Sequence, residues 1–524
     1  MRPFISAVLI TRDEAAVLPR CLDSLKGAVD EIVVLDTGSK DETATLAQER
    51  GASVFHAEWP NDFAAARNMA LAHAKGDWIL WIDADEELVV APERVRALTD
   101  AGHGAYDVEI ENLVDDRPDG DRFVHPALRF FRRGETTAWE GRVHEQVVGT
   151  VGTRVRIEGP FLRHHGYRPS IMTAKDKAAR TIGLLEAALE DKPDDVFQRF
   201  NLANALLVDG RREEAYDHAV KATEGMASGD SFGALAWHVR LQCAPDVLKD
   251  ANLADAAGWG GLFVEYERAQ AYLRLGDGER ALKASDRAVC LPWPKGSAGD
   301  RGIGTHKARL VRAQALSLLN RDTEAMADIE AALPYDPGFG PMRRLRAEVR
   351  RRLGLPYAED LRLAWEAAPE EIGLWAAWTE ACEAEADASG LLAAYGALAE
   401  RQQVSPGILV NWGRALEESN QPARALELFQ EAVRRAPDDA NACLNCADAF
   451  ARRGAWADAA HLYETALRLV PGNAQAWFTL GNAYAHSGYS DAAVRAYDRC
   501  LALAPTHGPA RHNREIVAED LKAA

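Results

Sequence analysis

At 524 residues, with 47% hydrophobic and 27% charged side chains, the chain is too long for one core and too polar for a membrane protein. No run approaches the roughly 18 apolar residues of a membrane span, and the first residues lead into a strand without the flanks of a cleavable leader, so the expectation is a cytoplasmic protein with no transmembrane segment. A net charge of -19 disfavours nucleic acid and anionic membranes as main partners, and the seven dispersed cysteines suit reduced thiols better than a disulfide framework.

The first 90 residues alternate strand and helix. Phe4 to Ile10 reads as a strand, and Val17 to Lys26 as a helix with Leu18, Leu22 and Leu25 on one face. The strand Ile32 to Leu35 follows, then a helix opened by Ser39-Lys40-Asp41-Glu42, which has the form of a capping box. Ser53 to His56 is a third strand, Asp62 to Ala74 a helix, and Trp78 to Ile82 a fourth strand. This alternation predicts a mostly parallel sheet with helices on both faces. Between Tyr106 and Gly166 the helical period disappears, and Tyr106 to Ile110, Leu128 to Phe131 and Val155 to Ile157 should extend or flank the sheet with antiparallel pieces.

From about residue 170 the chain reads as helical and repetitive. Pro437, Pro471 and Pro505 are spaced by one period, as are Gly454 and Gly488, and Phe429, Tyr463 and Tyr497. The period of about 34 residues is that of tetratricopeptide repeats, with roughly six or seven copies over 194–507. The predicted division is 1–170 for the α/β domain, 171–193 for a linker helix, 194–390 for degenerate repeats with an irregular insertion near 225–262, and 391–524 for regular repeats with a capping helix. Cys443 and Cys446 form a C-x-x-C without a second ligand pair, so they read as small buried helix residues.

Three predicted strands end in polar residues: Thr11-Arg12-Asp13-Glu14, Asp36-Thr37-Gly38-Ser39, and Asp83-Ala84-Asp85. Parallel sheets bind ligands beyond such ends, and Asp83 and Asp85 are hard ligands suited to Mn²⁺ or Mg²⁺ holding a diphosphate. Neither G-x-G-x-x-G nor a P-loop is present.

These segments, with Ala66-Arg67-Asn68-Met69-Ala70, resemble a family 2 glycosyltransferase of the GT-A fold. The resemblance implies Thr11 and Asp36 as contacts to the base and ribose of a nucleoside diphosphate sugar, with a UDP-sugar the preferred donor. Arg67 either faces the diphosphate or forms a structural ion pair. A second signature, Trp139-Glu140-Gly141-Arg142-Val143-His144-Glu145 with Leu162-Arg163-His164-His165-Gly166-Tyr167, is similar to family 2 members carrying tetratricopeptide repeats, including S-glycosyltransferases of bacteriocin peptides. By that resemblance Glu145 is the first choice for general base and Glu140 the second, while His164 or His144 completes the metal shell.

The leading expectation is an inverting transferase acting on a peptide or protein side chain presented by the repeats, which also leave room for a homo-oligomer. One alternative is a glycan or cell-envelope transferase with repeats used for recruitment. Another, from a different class, is a repeat scaffold whose transferase domain is inactive. Because the donor motifs all lie before residue 170, a chain cut near residue 190 should still bind donor.

Overall fold

The computed structural model describes residues 2–113, 122–143, 145–149, 151–166, 174–227, 230, 232–294, 297 and 299–523. His144 and Tyr167, both singled out in the sequence, lie outside the described residues. The chain forms two compact units, Met1–Leu353 and Gly354–Ala524.

The first unit opens with β1 (Ile5–Thr11), α1 (Leu18–Ser24), β2 (Glu31–Asp36), α2 (Thr43–Glu49), β3 (Ser53–His56), α3 (Phe63–His73) and β4 (Trp78–Trp81). β1 pairs in parallel with both β2 and β4, and β2 with β3, giving the order β3-β2-β1-β4. Both faces of β1 are apolar because both are covered. Ile5, Ala7 and Leu9 pack with Leu18, Leu22, Ala47 and Val95, whereas Val8 packs on the opposite face with Ala64, Ala70 and Leu71 of α3.

The sheet continues through β5 (Glu86–Leu88), then, after α4 (Pro92–Leu98), through β6 (Ala105–Leu113), β7 (Arg122–Arg132) and β10 (Arg154–His164). β7 runs antiparallel to β4 and β6 as expected, but β10 runs parallel to β6 and antiparallel to β5. The strands β8 (Ala138–Glu140) and β9 (Gln146–Val148) form a separate two-stranded sheet. The expected capping box does not form: Glu42 occupies the N-cap of α2 without a side-chain bond. Ser39 Oγ instead accepts from Asp13 N at 3.0 Å, and Asp41 Oδ2 from Ala15 N at 3.1 Å. The turn residues thus stitch the loop after β2 to the loop after β1. Asp62 does cap α3, accepting from Ala65 N at 2.9 Å, a bond of about 1 kcal/mol.

Among the described residues, the regular structure in the rest of the first unit is helical apart from one short strand. Gly299–Asp300 forms β11, which pairs antiparallel with Val124 and Phe123 of β7. The region 225–262 holds two helices, Gly233–Cys243 and Val247–Ala256, rather than irregular chain. They are tied by a buried ion pair in which Arg240 Nε donates to Asp250 Oδ1 at 2.8 Å, while Tyr216 donates to Asp250 Oδ2 at 2.8 Å.

A second buried group nearby yields a stability prediction. Glu267 lies with Oε1 3.4 Å from His238 Nδ1, and burial raises the Glu267 pKa from 4.5 to about 7. The folded state therefore keeps a proton on Glu267 that the unfolded chain has released, so this residue's contribution to stability falls as pH rises from about 4.5 to about 7. Glu267→Gln, neutral throughout, should match the parent near pH 4 and exceed it by on the order of 3 kcal/mol above pH 7. Thermal denaturation of both proteins across this range checks it; a pH-independent difference would sink the assignment.

The second unit consists of helices, among them the pairs Pro406–Glu418 with Pro422–Arg435, Ala440–Arg452 with Trp456–Leu469, and Ala474–His486 with Ser490–Leu503. The repeat's small residues have a steric cause: a Cβ at Gly413 would collide with the Phe429 ring, and one at Gly481 with Tyr497. Cys443 and Cys446 are buried on one of these helices as free thiols.

Candidate active site

Thr11 and Asp36 are register partners at the ends of β1 and β2. Asp36 Oδ1 accepts from the backbone N–H of Gly38 at 2.7 Å and of Ser39 at 2.8 Å. The turn requires Gly38 at φ 106°, a conformation that a side chain would strain. Asp36 Oδ2 and Thr11 Oγ1 are buried, and neither has a partner among the described residues. Buried polar atoms left in this state call for a ligand or ordered water.

Beyond β4 lies a dense charge cluster. Asp83 Oδ2 accepts from Arg129 Nη2 at 2.8 Å, and Asp83 Oδ1 from Trp81 Nε1 at 3.2 Å, with Arg67 Nη2 at 3.5 Å. Burial alone would raise the Asp83 pKa, but the charges of Arg129 and Arg67 hold it well below the usual carboxylate range. Arg67 lies between two indoles, 4.5 Å from the Trp81 ring centroid and 4.6 Å from that of Trp139, and its Nε pairs with Glu145. Arg67 is thus a buried ion pair that joins Asp83 to Glu145. Glu86 is buried beneath the cluster, its Oε1 2.9 Å from Arg129 Nη2. Burial raises its pKa more than Arg129 lowers it.

Asp85 points elsewhere. Its Oδ2 is 2.9 Å from His164 Nε2, and His164 Nδ1 is 2.7 Å from Asn112 Oδ1. Asn112 Nδ2 donates to Phe123 O at 2.9 Å, which fixes Oδ1 as the acceptor. With acceptors at both nitrogens, the surroundings favour the protonated ring. Burial opposes that charge, but the hydrogen bond to Asp85 and the neighbouring carboxylates outweigh it and raise the His164 pKa. A Cβ on Gly166 would run into Asp85 Oδ2 and His164 Nε2, so the pair sits in a cradle that only glycine leaves open. Among the described residues, no three His, Cys, Asp or Glu side chains converge as a ready-made metal cage.

The structure therefore brings Thr11 beside Asp36, links Asp83, Arg67 and Glu145, and pairs Asp85 with His164. Glu140 ends β8 as an exposed residue. His144 lies outside the described residues. Sequence reasoning missed Arg129, Glu86, Asn112 and the stacking role of Trp81 and Trp139. Arg129 did leave a signal: a lone charge in the apolar run Leu128-Arg129-Phe130-Phe131 of a buried strand needs a counter-charge.

The family models that the chain matches agree with this architecture. Residues 6–157 match the family model of glycosyl transferase family 2, and residues 410–460 and 444–507 match the tetratricopeptide repeat. The chain thus carries a family 2 glycosyltransferase domain followed by tetratricopeptide repeats. It is 37% identical over 217 residues to a TPR repeat-containing protein of Synechococcus elongatus, covering 39% of this chain and 53% of that protein. It is 27% identical over 231 residues to the SPbeta prophage-derived glycosyltransferase SunS of Bacillus subtilis, covering 42% of this chain and 53% of SunS. The chain spans about half the length of these two curated relatives. Among solved structures, it is similar to MamA at 17% identity over 30% of this chain and 93% of MamA, with a TM-score of 0.28. Among the described residues, no helix is long and apolar enough to cross a membrane.

Proposed function

We propose that this chain is a metal-dependent, inverting glycosyltransferase that moves a sugar from a nucleoside diphosphate donor, preferably a UDP-sugar, to a peptide or protein side chain. The observation that carries this reading is the pair of unpartnered buried acceptors, Thr11 Oγ1 and Asp36 Oδ2, at adjoining strand ends beside the Asp83 cluster. A ribose or base edge donates hydrogen bonds of the kind these atoms lack.

The donor set fits Mn²⁺ or Mg²⁺. Asp85 and His164 would hold the cation between the two atoms that now face each other at 2.9 Å, with Asp83 at the rim. One or two carboxylates plus donor phosphates is the usual arrangement for such ions. The bound ion would neutralise charge developing on the departing nucleoside diphosphate. Asn112 fixes the His164 tautomer that leaves Nε2 available.

Glu145 is the proposed base, accepting the acceptor's proton on a carboxylate oxygen that Arg67 orients. Glu145→Gln should lower kcat by about 10² to 10⁴ with donor affinity nearly unchanged. If Glu140→Gln shows the larger loss instead, the role moves to that exposed residue; if neither variant loses activity, the base assignment fails.

Repeat arrays offer concave surfaces suited to extended chains, which supports a peptide acceptor over a glycan. The function itself is tested by incubating the purified protein with a panel of nucleotide sugars and Mn²⁺ or Mg²⁺ and following slow donor hydrolysis. Hydrolysis of one donor is the expected result. Absence of both hydrolysis and nucleotide binding across the panel would favour the inactive scaffold.

A further inference from the structure

Arg129 closes a small ring of interactions around Asp83. Its Nη2 donates both to Asp83 Oδ2 at 2.8 Å and to Glu86 Oε1 at 2.9 Å. The other oxygen of Glu86, Oε2, accepts from the backbone N–H of Asp83 at 2.8 Å. The side chain of Asp83 is thereby tied to its own main chain through two buried residues. Arg129 and Glu86 retain only 10% and 3% side-chain exposure, whereas Asp83 keeps 31%. A half-open carboxylate on a buried, closed support is a group aimed in one direction. Long surface carboxylates lose that definition to rotamer freedom, and a ligand held by a locked second layer of hydrogen bonds does not.

We propose that Arg129 is a positioning residue, acting through Asp83 to orient that carboxylate toward a divalent cation and its nucleoside diphosphate. The inference rests on the transferase reading given above. The Nη1 of Arg129 is buried with no partner among the described residues, which allows a rival: that Arg129 itself hydrogen-bonds the donor's phosphates. The two differ in one observable. A residue that acts through Asp83 matters only when the cation is present, whereas a direct phosphate contact matters without it as well.

The test is calorimetric titration of the full chain with UDP and the other nucleoside diphosphates, in Mn²⁺ and in excess EDTA, comparing the parent with Arg129→Met. The expected result is a loss of affinity of about tenfold or more in Mn²⁺ and no change in EDTA. An equal loss in both conditions would overturn the positioning role in favour of direct contact. An unchanged affinity in Mn²⁺ together with a lower Tm would reduce Arg129 to a structural counter-ion and also overturn it. Removing Arg129 leaves Glu86 buried opposite Asp83, which is the kind of lesion that unfolds proteins. The double variant Arg129→Met with Glu86→Gln removes that charge, should recover the parental Tm, and should still show the Mn²⁺-specific loss; if it binds as the parent does, the proposal is wrong. Failure of the transferase reading looks different: the parent itself would bind no nucleoside diphosphate, or would bind with no dependence on Mn²⁺.

Discussion

Asp85→Asn is expected to remove sugar transfer almost completely, with kcat/KM falling by about 10³ or more. A cation at a departing diphosphate supplies several kcal/mol of charge stabilisation, and each 1.4 kcal/mol is about a factor of ten. Asp85 is a cleaner target than Asp83, because Asp83 neutralises Arg67 and Arg129 and its loss would leave two buried arginines with fewer counter-charges. Asparagine keeps the shape of the Asp85 side chain and a hydrogen-bonding oxygen, but not the charge. The same variant should lose the Mn²⁺-dependent part of nucleotide affinity and keep the part measured in EDTA. Its Tm should stay close to that of the parent, because His164 can release a proton once the Asp85 charge is gone and keeps its bond to Asn112. Full activity of Asp85→Asn, or full activity of the parent in excess chelator, would defeat the metal mechanism.

The strand-end residues of this site were legible from the chain's own pattern, because an apolar run stops at a polar residue, whereas Glu145 and His164 were named only through the family resemblance. Thr11, Asp36 and Asp83 were found in this way, because a strand covered on both faces cannot carry polar side chains until it emerges at the lip of the sheet. The 34-residue repeat was legible because each copy solves the same packing problem, as Gly413 with Phe429 and Gly481 with Tyr497 illustrate. Partner choice was not legible. Ser39 has the sequence spacing of a helix cap, yet its hydroxyl is claimed by the backbone of Asp13 from a loop 26 positions away. No local pattern distinguishes the two fates. Arg67 posed two alternatives on a helix, and only the placement of Trp81, Trp139 and Glu145 around it shows how it is held. β11 escaped notice because two residues, Gly299 and Asp300, carry no period of any kind. That short strand matters, since it returns from the helical region to the sheet that bears Arg129.

It also changes what a truncation should do. A chain cut near residue 190 was expected to retain donor binding, but the first unit extends to Leu353. Such a cut would remove β11 from the edge of β7, Arg301 from Glu109 at 3.3 Å, and Gln198, whose Nε2 donates to Val143 O at 3.0 Å beside the loop of Glu145. It would also uncover Val143, Ile182 and Leu185, which share a core with Phe200 and Leu206. The short chain should therefore be insoluble or unfolded, because apolar surface of this extent is stabilising only when covered. A chain ending at Leu353 keeps every one of these contacts. It should fold and bind nucleoside diphosphate as the full chain does, yet transfer sugar to the natural acceptor at least about 10² more slowly, since contacts to remote parts of an acceptor orient the reacting atom. Circular dichroism, calorimetry with UDP and Mn²⁺, and mass spectrometry of the acceptor, run on all three chains, separate the outcomes. Undiminished transfer by the chain ending at Leu353 would mean that residues 354–524 do not present the acceptor, and would move the second unit to a recruiting role. A folded, nucleotide-binding chain of 190 residues would show instead that the helices before Leu353 are dispensable to the site, against the contacts of Gln198, Asp300 and Arg301.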